Sequence, residues 1–439
     1  MNNLTTLYPD HVLELQQRCK NVCRRENLQG LVIHSGQENK VFLDDTSYPF
    51  KVNPHFKHWL PLVDIPNSWL IVNGEDKPVL IYYQPVDFWH KVVSLQEDYW
   101  NDFFDIKVLT KASDVDKLLP YDKQGYAYIG GHIEVAHALG FEQINSESLL
   151  NYLHFHRAYK TFYEQECLRQ SNKLAVKGHK AAKAAFLMGS SEFDIQQAYL
   201  KAIHHTANET PYGNIVALNE SASILHYTAL DRGVPQVHRS FLIDAGANFN
   251  GYAADITRTY SYKRDKFGEL VARMDQLMLN AVNGLKPGNS YVSLHQSTYR
   301  DIATVLEEFD FITVSADTAA EAGIVSTFFP HGLGHHLGLQ THDVGGFMAD
   351  ERGTHIDPPK QHPFLRTSRL IESNQVFTIE PGLYFIDSLL TQLKQSSHSK
   401  MIHWDNVEAM RPYGGIRIED NIIVHQSYNE NMTRDLYLD

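Results

Sequence analysis

The chain has 439 residues, 43% of them hydrophobic and 21% charged, an ordinary globular composition long enough for two or three domains. Its formal net charge of -13 argues against nucleic acid or an anionic membrane as the main partner, because both select basic surfaces. No apolar run approaches the ~18 residues of a membrane span, and "MNNLTTLYPDHVLELQQRCK" lacks the basic and apolar regions of a signal peptide.

In chain order, the pattern predicts an amphipathic helix over 10–26, carrying Cys19 and Cys23 as two semi-buried thiols. With Cys167 they make three cysteines, which fits a reducing cytoplasm without a disulfide framework. Short apolar runs bounded by Gly, Asn and Pro predict strands at 28–36, 68–74, 78–85, 105–110 and 126–131. Helical patterns fall between some of them, so the first domain is expected to be mixed α/β and to span 1–155. A long helix is expected over 156–186, where Gly178 is the only Gly or Pro, opening a second domain over 156–439. Further helices are expected at 192–206, 265–284 and 290–309, with strands making up most of the rest.

"SFLIDAGA" and "YAADITRTY" flank the turn-prone "NFNG", a hairpin signal. A turn at 248–251 sets Asp244 directly opposite Asp255; a turn centred on Asn250-Gly251 makes them diagonal neighbours on one face. Two unneutralised carboxylates in a half-buried hairpin are costly, and a divalent cation is the simplest compensation. The bland alternative is a surface hairpin with two solvated aspartates.

"FFPHGLGHHLGLQTHDVGG" (328–346) holds His331, His335, His336 and His342 among glycines that disfavour a helix, so it reads as loop and strand. Each histidine alone is more often structural, but four within twelve residues favour a metal or catalytic use, with His335 or His336 as the ligand. Glu380 in "NQVFTIEPGLYF" and Glu419 in "GGIRIEDNIIVH" stand in apolar strands. Arg417 shares a face with Glu419, opposite Ile416 and Ile418, and taken alone the pair also reads as an ordinary salt bridge. Oxygen donors with one imidazole suit manganese, cobalt or zinc.

The order Asp244, Asp255, His335, Glu380, Glu419 resembles the dinuclear metallopeptidases of the pita-bread fold, which include methionine aminopeptidase, aminopeptidase P, prolidase and the metal-free creatinase. The spacing of the aspartates with "HGLGHHLGLQTHD", "TIEPGLY" and "GIRIEDNIIV" is similar to the proline-specific branch. "FLDDTSYPFKVNPHFKHWLP" and "YYQPVDFWHKV" resemble the bacterial Xaa-Pro dipeptidases, a group that includes the organophosphorus acid anhydrolases, so the resemblance spans the chain.

The resemblance implies a creatinase-like N-terminal domain, a pita-bread catalytic domain and two divalent metal ions, manganese first with cobalt or zinc as alternatives. The family's metal histidine lies seven residues before a second active-site histidine, which selects His335 over His336. It implies that Asp244 binds one metal, that Asp255 and Glu419 bridge the pair, and that His335 and Glu380 complete the other. Glu380 would shuttle the proton, with His226, His331, His342 and Arg417 as catalytic or substrate contacts. Tyr212, Asp45 and Trp89 would line the substrate. The expected activity is metal-dependent hydrolysis of Xaa-Pro dipeptides by a cytoplasmic homodimer, with side hydrolysis of organophosphorus triesters and fluorophosphates. The alternative is an aminopeptidase P-like removal of residues before proline.

Overall fold

In this computed structural model the described residues are 3–89, 91 and 95–438; His90 and Val92 of the segment "YYQPVDFWHKV" lie outside them. The chain divides into two units. One comprises Met1–Cys167, Asn250–Tyr252 and Asp350–Thr354; the other comprises Leu168–Phe249, Ala253–Ala349 and His355–Asp439. Among the described residues no helix is long and apolar enough to cross a membrane.

In the first unit, strands β1 (Gly30–His34), β2 (Trp69–Val72), β3 (Val79–Tyr83), β4 (Asp105–Leu109), β5 (Tyr126–Ile129) and β6 (Gln143–Ile144) form one sheet in the order β4-β3-β2-β1-β5-β6. β1 pairs antiparallel with β2 and parallel with β5, so the sheet is mixed. Val32, Trp69, Ile81 and Tyr128 bury one face of it beneath Val115, Ala136 and Phe141. Every strand expected here forms. The first helix starts at Asn3 rather than at 10 and carries Pro9 within it. Cys19 and Cys23 are both buried and free, with sulfurs 3.9 Å apart.

The single helix expected over 156–186 is two, Glu147–Arg157 and Phe162–Leu187. The break is a capping box. Glu164 N–H donates to Thr161 Oγ1 at 3.3 Å, and Thr161 N–H donates back to Glu164 Oε2 at 2.9 Å. The T-x-x-E signature of "TFYE" outweighs the absence of Gly and Pro.

In the second unit, β7 (Ile215–Leu218), β8 (Ser240–Asp244) and β11 (Thr257–Ser261) form an antiparallel sheet, with β9 (Asn248–Phe249) and β10 (Tyr252–Ala253) as a two-stranded extension at the hairpin tip. Strands β12 (Val376–Ile379), β15 (Asp420–Val424) and β16 (Asn429–Asn431) form a second sheet, and β13 (Gly382–Tyr384) pairs with β14 (Gly415–Arg417). The helices Phe162–Leu187 and Glu192–Ile203 cover β8 through Phe186, Ile195, Tyr199, Phe241 and Ile243. The helices Lys266–Gly284 and Tyr291–Glu308 cover β12, β14 and β15 through Leu270, Met274, Ile302, Phe377, Ile416 and Ile422. Because Phe241 and Ile243 face helices, Leu242 and Asp244 face the opposite side of β8.

Candidate metal centre

Asp244 ends β8 and pairs with Thr257, which makes Asp255 its diagonal neighbour rather than its direct partner. The turn is centred on Asn250-Gly251, whose φ values of 51° and 85° are the two positive angles a tight primed hairpin turn demands. The register continues through the link, where Ala254 N–H donates to Ala247 O and Ala245 N–H donates to Ile256 O. Asp255 is 5% exposed, which excludes the solvated surface hairpin.

Three segments converge on Asp255. His335 Nε2 lies 3.4 Å from Asp255 Oδ2 and 3.6 Å from Glu380 Oε1. His335 Nδ1 lies 2.9 Å from the His336 carbonyl, which only accepts, so Nδ1 carries the proton and Nε2 is turned to the carboxylates. Asp255, His335 and Glu419 each present a ligand atom within 4.8 Å of the others'. The loop bearing His335 packs tightly on β12: a Cβ added at Gly334 would stand 2.1 Å from Thr378 O, so only glycine fits. His336 points the other way, is 1% exposed and packs its ring 4.6 Å from that of Phe377.

Threonines tie these segments together. Thr257 Oγ1 donates to Glu419 Oε2 at 2.6 Å, and His335 N–H donates to Thr378 Oγ1 at 3.1 Å. Tyr212, half-buried, donates to Asp255 Oδ1 at 2.6 Å. Arg417, 5% exposed, donates to Asp244 Oδ2 at 2.6 Å, to Tyr384 OH at 2.9 Å and to Thr257 Oγ1 at 3.3 Å. The expected alternative of a direct Arg417–Glu419 pair is replaced by this contact to Asp244, with Thr257 standing between Arg417 and Glu419.

The charges are strained. Burial pushes Glu380 up to about 7, against the opposing pull of His335 and Arg417. Burial also raises Asp244, and raises Glu419 well above the carboxylate range with help from the charges of Asp255, Glu380 and Asp244. Asp255 is the exception: burial disfavours its charge, but His335 and Tyr212 outweigh burial and hold it below the usual range. Asp244 Oδ1 is buried with no hydrogen-bond partner. A buried carboxylate oxygen without a partner among the described residues, beside three further carboxylates and one imidazole, fits a divalent cation.

The remaining expected residues fall into two groups. His331 Nδ1 donates to Gly332 O at 2.7 Å, so its Nε2 accepts from Tyr384 OH at 2.9 Å; burial pulls His331 far down and keeps it neutral. His342 packs edge-on against His335 with ring centroids 4.4 Å apart, and burial followed by the His335 charge lowers it to about 4. His226 is exposed on the loop after β7, near enough for its charge to lower both His331 and His342. Asp45 and Trp89 lie on exposed loops of the first unit. Sequence reasoning missed Thr257, Thr378 and Tyr384. Thr257 stands two residues from Asp255 and Thr378 two from Glu380, and that parity is the signal for a shared face; Tyr384 lies on β13, a separate strand beyond Pro381, and carries no such signal.

Residues 6–155 match the Xaa-Pro dipeptidase N-terminal domain, and residues 166–426 match metallopeptidase family M24. An Xaa-Pro dipeptidase of Colwellia psychrerythraea is 74% identical over 435 residues, covering 99% of this chain and 98% of that one. An Xaa-Pro dipeptidase of Pseudoalteromonas translucida is 60% identical over 440 residues, covering 100% of both. Among solved structures, aminopeptidase P from Escherichia coli in its low pH form superposes with a TM-score of 0.74 at 22% identity, covering 98% of this chain and 96% of that one, a likeness of fold alone.

Proposed function

The chain belongs to metallopeptidase family M24 and, within it, to the Xaa-Pro dipeptidases, and on that premise we propose that Asp244, Asp255, His335, Glu380 and Glu419 hold two divalent cations, manganese by preference, with which it hydrolyses Xaa-Pro dipeptides. The observation that carries the ligand assignment is the approach of Asp255, His335 and Glu419, from three separate segments, to within 4.8 Å. When bound, the cations would supply Lewis acidity and lower the pKa of the attacking water.

The chain's own groups do the rest. Glu380 takes the proton of the attacking water and passes it to the prolyl nitrogen. That nitrogen is a tertiary amide and departs only once protonated. His226 or His342 donates to the developing oxyanion: His342 packs against His335, and the charge of His226 acts on both His331 and His342. Arg417 fixes Asp244, and Tyr212 fixes Asp255. The test is substrate length. Ala-Pro should turn over far faster than Ala-Pro-Ala; equal rates would move the assignment to aminopeptidase P-like cleavage.

The resemblance of the N-terminal segments to the organophosphorus acid anhydrolases supports a side activity. A phosphorus centre passes through a charged, oxygen-rich transition state that the same site can stabilise, and fluoride leaves without protonation. Manganese-loaded protein should release fluoride from diisopropyl fluorophosphate, and no release above buffer would end that assignment. The same resemblance supports a cytoplasmic homodimer, which sedimentation tests: a species of one chain mass would refute the dimer.

A further inference from the structure

Asp255 lies in the link between β10 and β11, where its strand leaves regular pairing. Its neighbours Ala254 and Ile256 bond back towards β8, so the N–H and C=O of Asp255 point to the other side. On that side the next strand has begun to pair: Glu419 N–H donates to Thr257 O at 3.0 Å, in an antiparallel bridge. Two residues on, that register would bring the backbone of Asn421 opposite Asp255. The backbone of Asn421 has left, however. It pairs with Thr378 on β12, its N–H donates to Thr433 Oγ1 at 3.1 Å and its carbonyl accepts from Met432 N–H at 3.0 Å.

The side chain of Asn421 fills the fork. Its Oδ1 accepts from Asp255 N–H at 3.0 Å and its Nδ2 donates to Asp255 O. One amide therefore replaces a rung of the sheet, at the point where the strands part and leave the Asp255 and Glu419 carboxylates facing each other. Asn421 is 0% exposed. Only a side-chain amide of this length offers an acceptor and a donor at once: Asp would set oxygen against the Asp255 carbonyl, and Gln is one methylene too long.

We propose that Asn421 is a positioning residue for the metal centre, its amide clamp on the Asp255 backbone aiming the Asp255 carboxylate at the cation shared with His335 and Glu419. The inference rests on the assignment of Asp255 as a ligand. It requires that losing the clamp weaken metal binding and not merely folding.

Manganese affinity by titration calorimetry, together with the melting temperature of chelated protein, tests it on N421A, N421D, D255N and N172A. Asn172 is the control: it accepts from Thr433 Oγ1 at 3.1 Å, is equally buried and touches neither Asp255 nor Glu419 through any hydrogen bond among the described residues. N421A and N421D should bind the weaker manganese about 10- to 100-fold less tightly, the range for partners that orient ligands, while N172A lowers the melting temperature and leaves affinity within about twofold. N421D, which keeps the acceptor for the Asp255 N–H, is read in place of N421A if the latter does not fold. Wild-type affinity in both Asn421 variants with weakened binding in D255N would overturn the positioning role alone. Wild-type affinity in D255N would overturn the ligand assignment and this inference with it.

Discussion

Arg417 donates to Asp244 Oδ2 at 2.6 Å while its other guanidinium nitrogens reach Tyr384 OH and Thr257 Oγ1, so one buried cation links the hairpin, β13 and β11. Burial opposes its charge, yet Tyr384 and Asp244 hold Arg417 protonated well above its ordinary range. A Lys at 417 has the charge but not the rigid fork, and it cannot serve three partners in three directions. R417K should lower kcat/KM for Ala-Pro by about 100-fold or more, the scale for losing a preorganised electrostatic group. R417M should destabilise the chelated protein by about 3–5 kcal/mol, because it leaves Asp244 buried without its partner. Urea unfolding and steady-state kinetics check both; near-wild-type behaviour of R417M would remove Arg417 from the account.

Metal binding should release protons. In the cation-free chain burial holds Glu380 at about 7 and raises Asp244 and Glu419, so protons occupy this carboxylate cluster at and below neutral pH. A cation needs the deprotonated forms, so affinity should rise as pH rises through about 7. Calorimetry in buffers of different ionisation enthalpy should find about one proton or more released at pH 6.5 and fewer at pH 8. Equal release at both values would contradict the raised Glu380.

Acid should destabilise the fold well before its surface carboxylates titrate. Burial lowers His34, His179 and His295 to about 3 and His11 to about 4. A histidine whose folded pKa is depressed contributes stability that is complete above its unfolded value near 6.5 and is lost as pH falls towards the folded value. The histidine contribution to the melting temperature should therefore be flat from about pH 8 to 7 and fall steadily below about 6.5, opposed in part by protonation of the raised Glu380. His34 stacks on Trp69 with ring centroids 4.0 Å apart, and its Nδ1 lies 3.0 Å from Tyr128 OH. H34F should make that decline shallower; an unchanged slope would place the proton uptake elsewhere.

The carboxylates proposed as ligands stood out in the sequence because each is a charge in an apolar run, and hairpin parity keeps Asp244 and Asp255 on one face in either register, whereas His335 was separated from His336 only by the resemblance. The turn residues Asn250-Gly251 favoured the observed register, but sequence alone did not choose between the two. Partners at long range were not legible. Thr257 lies 162 residues from Glu419, Arg417 lies 173 from Asp244, and Asn421 lies 166 from Asp255. Nothing local distinguishes a threonine that holds a glutamate from one that fills a strand. The helix break at Thr161 was legible and was missed: a long stretch of helix formers outweighed a capping box written within it.

The most direct test of the account is turnover of Ala-Pro by protein stripped of metal with a chelator and then titrated with manganese, cobalt or zinc. The account predicts that stripping abolishes cleavage, that manganese restores it most fully, and that D255N recovers little at the same added metal. Cleavage of Ala-Pro at the original rate by thoroughly chelated protein would contradict it.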